Sequence, residues 1–311
     1  MTITITAITP TFAAEIGDID LSQPLPPAEV ETIKQAFWRY GVLIFPGQEL
    51  TQQQQLAFAQ HFGPLETNLV TYNKDAQFRI TPDLVDISNL TPKSEIWGER
   101  SRTRQFHLGN RLWHTDSSFK YLPARASLLY AKTIAPIGGH TEFADLRAAY
   151  DGLDDELKQK LNGLVAEHAI AYSRAKTGYH EFTEAERTNL PPVPQVLVRT
   201  IPETGRKSLD IASHAGGIFG MPEEQSRPLL EMLITHATQR QFVYTHRWRV
   251  QDLVMWDNRC TMHRSTDYDD LRWVRDMHRA TVSDIANTCE QEGYRPPMSD
   301  DSPDLRPNVV N

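Results

Sequence analysis

Cysteine is nearly missing from this chain: Cys260 and Cys289 are the only two in 311 residues, and they form neither a CxxC pair nor a zinc-ligand spacing. That excludes a disulfide-stapled scaffold and a cysteine-built metal site, and two thiols in a reducing compartment are usually free. Long hydrophobic runs are missing too. No stretch approaches the roughly 20 apolar residues that a bilayer span needs, so no membrane partner is expected. The opening MTITITAITPTFAAEIGDIDL has no basic segment followed by a continuous apolar one, which leaves a cytoplasmic location as the default. Positive charge is in short supply, with 32 Lys and Arg against 40 Asp and Glu and a net charge of -8. The basic residues are scattered rather than gathered in a stripe, which argues against nucleic acid as a partner. No internal repeat is found.

The remaining composition is that of an ordinary globular protein, 40% hydrophobic and 23% charged, long enough to bury a substantial core. The 11 histidines, 6 tryptophans and 20 prolines supply metal ligands and turn residues, a mix that fits an irregular, β-rich scaffold. Residues 26–41 read as an amphipathic helix, because Val30, Ile33, Phe37 and Tyr40 recur at helical spacing and Gly41 can end it. A strand over 42–45 follows, then a helix N-capped by Thr51 and closed by Gly63 and Pro64. Residues 84–88 read as a strand and 93–110 as a polar, mobile loop. From Leu112 on, short β-like runs at 126–131, 196–200, 209–212, 241–244, 253–256 and 273–281 are separated by turn residues. Two helical pieces interrupt them: one from Asp145 toward His168 with breaks at Gly152 and Gly163, the other from Pro222 through Ile234. The expected architecture is mainly β with flanking helices, a jelly-roll or cupin-like double sheet that encloses a pocket. Residues 1–288 are expected to form one domain and 289–311 a loosely ordered tail without apolar periodicity.

The first chemical candidate is Trp113-His114-Thr115-Asp116. On an extended strand residues two apart share a face, so His114 and Asp116 can chelate one ion while Thr115 points away. About one such His-x-Asp triplet is expected by accident in this composition. A third ligand is needed for a 2-His-1-carboxylate facial triad, the arrangement that leaves positions open for a bidentate acid and O2. His263 offers itself, after an apolar strand that runs through Val254, Met255 and Trp256 into a polar turn. Zinc would also accept this donor set. His140-Thr141-Glu142 offers a second His and carboxylate at the same spacing, and spacing alone does not reject it. In the run from Arg275 to Arg279, those two arginines fall on one face. Two guanidiniums aimed into one pocket repel unless anions sit there, so the pattern asks for two acids.

Four long motifs carry a resemblance: WHTDSSF at 113–119, GGHTEFADLRAAYD at 138–151, HATQRQFVYTHRW at 236–248 and DLVMWDNRCTMHR at 252–264. With GVLIFPGQ at 41–48 and PDLVDISN at 82–89, the chain from about Phe12 to Ser283 resembles the taurine and 2,4-dichlorophenoxyacetate dioxygenase family, its phenoxyacetate branch above all. The resemblance implies a double-stranded β-helix core and iron held by His114, Asp116 and His263. It implies that Thr141 and Arg275 hold the distal carboxylate of 2-oxoglutarate, and that Arg279 and His214 lie toward the substrate, with Trp256 lining the metal site. If Thr141 points inward, His140 and Glu142 face away and are not ligands. Two positions depart from the branch: Gly217 stands where it carries a further histidine, and 68–79 matches its substrate-side loop poorly.

The expected activity is therefore that of an Fe(II)- and 2-oxoglutarate-dependent dioxygenase. It would use O2 to hydroxylate a small anionic substrate, a carboxylate such as an aryloxyalkanoate, with ether cleavage, or a sulfonate, releasing succinate and CO2. A homo-oligomer is expected. A non-catalytic jelly-roll protein that binds metal or an organic acid is the alternative class, distinguished by whether 2-oxoglutarate is ever consumed. A zinc hydrolase lacks a placed general base beside the triad.

Overall fold

The computed structural model of the chain describes residues 3–66 and 77–297, and among them the architecture is mainly β with helices packed outside. A seven-stranded sheet runs in the spatial order Thr4–Ala7, Ala14–Gly17, Val42–Phe45, Leu253–Asp257, Ala124–Thr133, Asp276–Ser283, Val85–Asp86. Neighbours in this sheet are antiparallel, except that Ala14–Gly17 lies parallel to Val42–Phe45. A three-stranded sheet places Thr141–Asp145 between Val243–His246 and Thr261–Ser265. Another places Val165–His168 between Ala215–Ile218 and Val193–Val196, and Val198–Thr200 pairs with Lys207–Leu209.

Side-chain alternation divides the large sheet into two buried faces. Leu43, Phe45, Leu128, Tyr130, Leu253, Met255, Ala280 and Val282 pack beneath the helices Pro27–Tyr40 and Gln52–Gln60. Their neighbours Val42, Ile44, Leu129, Ala131, Val254, Trp256 and Met277 face Phe143 of the first three-stranded sheet. A strand with both faces buried reads as a continuous apolar run, which is why Val42–Phe45 is legible in the sequence. On this inner face Met277 pairs with Ala131 and Arg279 with Leu129. The inner face therefore carries Arg279 as well as apolar residues.

Both early helices form where their residues predict. The first ends on Gly41 in the left-handed region at φ 70, and the second starts in a capping box between Thr51 and Gln54. Elsewhere the expectations need correction. The stretch 93–110 is irregular only through about residue 101: Ser101 caps a helix over Arg102–His107, continued by a 3-10 turn over Leu108–Arg111. Its anchors are distant, Arg104 to Asp270 at 2.8 Å and Arg111 to Asp267 at 3.1 Å, so beyond the Ser101 cap little local marks it. The helix expected toward His168 breaks at Gly152 into Leu146–Asp151 and Asp155–Leu161, and beyond Gly163 the chain is the strand Val165–His168. After 288 the chain is not loose at first. Thr288–Gln291 is helical, Cys289 is buried, and Gln291 and Glu292 bond Arg199 and the Thr200 amide. Residues 298–311, and 68–76 of the departing loop, lie outside the described residues. No helix among the described residues is long and apolar enough to cross a membrane.

Candidate metal and substrate site

His114 and Asp116 do not lie on a regular strand. A single antiparallel bridge to His263 holds His114, with amide bonds of 3.0 and 2.8 Å in the two directions, and the chain turns at Asp116. The bridge attaches the ligand-bearing segment to the edge of the strand Thr261–Ser265 and brings the imidazoles of His114 and His263 to 4.2 Å between ring centroids. Candidate donor atoms of His114, Asp116 and His263 all lie within 4.8 Å of one another, the one such cluster among the described residues.

The donors are prepared for a divalent cation. His114 Nδ1–H donates to the Leu112 carbonyl at 2.7 Å, which leaves its Nε2 as the lone pair in a neutral ring. Burial pushes the His114 imidazole down to about 4, and burial together with His114 pushes His263 well below its ordinary value. Burial would raise the Asp116 carboxyl, but Arg279 and the two histidines outweigh it and hold it at about 2. Two neutral imidazoles beside an ionised carboxylate suit Fe(II) or Zn(II), and a buried ring nitrogen of His263 has no hydrogen-bond partner. The residues fit the ion.

A chain of hydrogen bonds fixes Asp116. Ser127 Oγ donates to its Oδ2 at 2.7 Å, Asn258 Nδ2 donates to Ser127 at 2.9 Å, and Asn258 Oδ1 accepts from the Asp116 amide and from Trp256 Nε1. Trp256 is buried with its ring 4.6 Å from that of His263. Arg279 meets the other carboxylate oxygen, Oδ1. Ser127 and Asn258 are site residues the sequence reading missed; Asn258 stood inside a quoted motif, but a polar turn residue carries no sign of its partners.

Two cavities open from the trio. A small one of about 90 Å³ is walled by Thr141, Arg275, Trp256, His263, Ser265 and Tyr268 among others. Arg275 is buried, and among the described residues it has no ion pair. Burial lowers its pKa, partly opposed by Tyr268. Thr141 Oγ1 accepts from Trp248 Nε1 at 3.0 Å, a second contact the sequence did not reveal. The rival pair separates as the alternation requires: Glu142 lies on the opposite face, bonded to Arg264 at 2.7 Å.

The larger cavity, about 800 Å³, is reached by His114, Asp116, His214, Phe119, Arg174 and Arg279 and lined further out by Phe78, Leu84, Trp97, Phe106 and Leu190. His214 is buried, with Phe119 edge-on at 4.9 Å between centroids. Gly217 walls neither cavity; a Cβ there would come closest to Ser226 Oγ, at 4.0 Å.

A buried 2-His-1-carboxylate trio between β-sheets, flanked by one small cationic cavity and one large apolar one, defines a non-haem metalloenzyme site. Residues 4–281 match the family described as taurine catabolism dioxygenase TauD, TfdA family, and the chain belongs to that family. It is 45% identical over 287 residues to the alpha-ketoglutarate-dependent 2,4-dichlorophenoxyacetate dioxygenase of Cupriavidus pinatubonensis, covering 92% of this chain and 99% of that one. It is 37% identical over 267 residues to the (S)-phenoxypropionate/alpha-ketoglutarate-dioxygenase of Sphingobium herbicidovorans, covering 83% and 88%. Among solved structures, AAD-2 in complex with Mn(II) and N-oxalylglycine superposes with a TM-score of 0.85 at 46% identity, covering 93% of this chain and 99% of that one.

Proposed function

We propose that this protein is an Fe(II)- and 2-oxoglutarate-dependent dioxygenase that hydroxylates a small carboxylate, an aryloxyalkanoate being the favoured class and a sulfonate the other, within a double-stranded β-helix core spanning one domain. The observation that carries this is the buried His114, Asp116 and His263 trio with an uncompensated Arg275 beside it. Its relatives act, by name, on phenoxyacetate and phenoxypropionate acids with alpha-ketoglutarate.

His114, Asp116 and His263 would hold the iron, which together with 2-oxoglutarate and O2 supplies the oxidising power for C–H hydroxylation, yielding succinate and CO2. Arg275 and Thr141 receive the far carboxylate of 2-oxoglutarate, a guanidinium fork and a hydroxyl whose lone pair Trp248 has already engaged. The Thr141 proton stays free to donate to that carboxylate. Ser127 and Asn258 keep Asp116 in one orientation, so the carboxylate does not reorganise as ligands exchange. The apolar outer wall excludes water from the reacting carbon, while Arg279 and His214 face the substrate. If that carbon bears an aryl ether, the hydroxylated product is a hemiacetal that separates into a phenol and an oxo acid.

His114→Ala and Asp116→Ala should each abolish iron-dependent succinate formation while the wild type forms it in step with 2-oxoglutarate consumption. Turnover retained in both variants would remove the metal assignment.

A further inference from the structure

Tyr268 walls the small cavity, and the chemistry above gives it no task. It stands half-buried in the connection between the strands Thr261–Ser265 and Asp276–Ser283, and among the described residues its hydroxyl makes no hydrogen bond. Its ring and the Arg275 side chain meet over the turn at Gly138 and Gly139, both in the left-handed region at φ 75 and 66. A Cβ on Gly139 would lie 3.5 Å from Tyr268 Cδ1 and 3.5 Å from Arg275 Cδ and Nε, and one on Gly138 only 2.2 Å from the Asp267 carbonyl oxygen. The glycine pair lets the connection close down on the turn, and Thr141 opens the next strand two residues on. A guanidinium, a hydroxyl and a phenol thus line one cavity.

The connection is fastened along its length. The Gly139 amide donates to the Asp267 carbonyl at 3.1 Å, and the Thr266 amide to that of His140 at 2.8 Å. Asn89 Nδ2 donates to the Asp270 and Trp273 carbonyls at 2.7 and 2.8 Å, while its Oδ1 accepts from the Arg275 amide at 2.9 Å. Asp270 is gripped in turn by Arg104 at 2.8 Å. The phenol is therefore set beside Arg275 before a ligand arrives, which lowers the ordering cost of using it.

A carboxylate offers about four lone-pair sites. An arginine fork fills two and the Thr141 hydroxyl one, and in a buried cavity an unmet site on an anion is costly. Nearby donors are engaged elsewhere, Ser265 Oγ with the Asn110 carbonyl at 3.3 Å and Asn89 as described. Burial raises the Tyr268 pKa, opposed by Arg275, so the phenol keeps its proton at neutral pH and can donate it.

We propose that the Tyr268 hydroxyl is a third group holding the far carboxylate of 2-oxoglutarate, beside Arg275 and Thr141. This rests on the dioxygenase reading above and makes Tyr268 a determinant of co-substrate choice, favouring oxoacids with a second carboxylate over those with an apolar end.

The test is calorimetry on the Mn(II)-loaded protein with 2-oxoglutarate and, at millimolar concentration, with 2-oxopentanoate, in which a methyl group replaces the far carboxylate. In Tyr268→Phe the Kd for 2-oxoglutarate should rise about ten-fold, the loss of one hydrogen bond to a charged group, while that for 2-oxopentanoate holds. The KM for 2-oxoglutarate should rise in step, with that for the acid substrate unmoved. Tyr268→Leu, which removes the ring as well, should cost 2-oxoglutarate at least as much. Equal losses for the two oxoacids in Tyr268→Phe would overturn the assignment, as would wild-type 2-oxoglutarate affinity in Tyr268→Phe with a loss only in Tyr268→Leu, since the ring would then serve as packing. A wild type that binds no 2-oxoglutarate would defeat the dioxygenase reading itself, and this assignment with it.

Discussion

Arg275→Gln separates the cost of a buried charge from its use. Without a ligand, Arg275 is enclosed by protein and no described carboxylate compensates it; carrying such a charge costs the fold several kcal/mol, an order-of-magnitude figure. A neutral glutamine of similar length relieves that cost, so the ligand-free variant should melt no lower than the wild type. The opposite holds with 2-oxoglutarate. A hydrogen bond to a charged group contributes about 1.5 to 3 kcal/mol, and 1.4 kcal/mol is tenfold, so affinity should fall by about 10- to 150-fold. At a concentration near 100 Kd the wild type gains about 2.7 kcal/mol from its ligand; after a thirtyfold loss, about 0.9 kcal/mol remains. At roughly 2 °C per kcal/mol, the ligand-induced rise in melting temperature should shrink by about 4 °C. The assay is thermal unfolding with Mn(II), with and without 2-oxoglutarate, beside the KM for 2-oxoglutarate from succinate release. A variant that melts lower without ligand and keeps its full ligand-induced shift would refute the reasoning, since Arg275 would then be a structural cation.

Other perturbations follow from single contacts. Trp248→Phe removes the donor to Thr141 Oγ1 at 3.0 Å; the KM for 2-oxoglutarate should rise about five-fold, from the loss of roughly 1 kcal/mol, with the substrate KM little changed, as steady-state kinetics would show. Asp276 is bonded by Arg79 at 3.0 Å and His278 at 3.1 Å. Burial would raise its carboxyl, and these partners instead depress it from 3.8 to about 2. A depressed folded-state value means stability that is full above pH 3.8 and lost as pH falls toward 2. Asp276→Asn should therefore melt lower than the wild type at neutral pH, with the gap closing through that acid window in calorimetric scans.

Local pattern was sufficient for elements whose burial is one-sided or complete over consecutive residues. The helix Pro27–Tyr40, the capped helix Gln52–Gln60 and the strands Val42–Phe45 and Leu253–Asp257 are all written in apolar spacing and capping residues. It also nominated His114, Asp116, His263 and Arg275, while Thr141 came only through the family resemblance, and spacing alone left His140 and Glu142 in contention. Sheet register removed that pair, because a two-residue period sends Thr141 inward and Glu142 out to Arg264. The helix at Arg102–His107 escaped notice because its anchors, such as Asp270, lie far along the chain. Arg174 stands in no motif, and only the closure of Phe106, Gly109 and Ser173 around it shows that it is buried, without an ion pair among the described residues. The sequence by itself determined which residue types and local segments were available, since backbone propensity and periodicity are short-range. Which charges were left without counter-charges was decided by the tertiary structure, because compensation is a matter of distance in space.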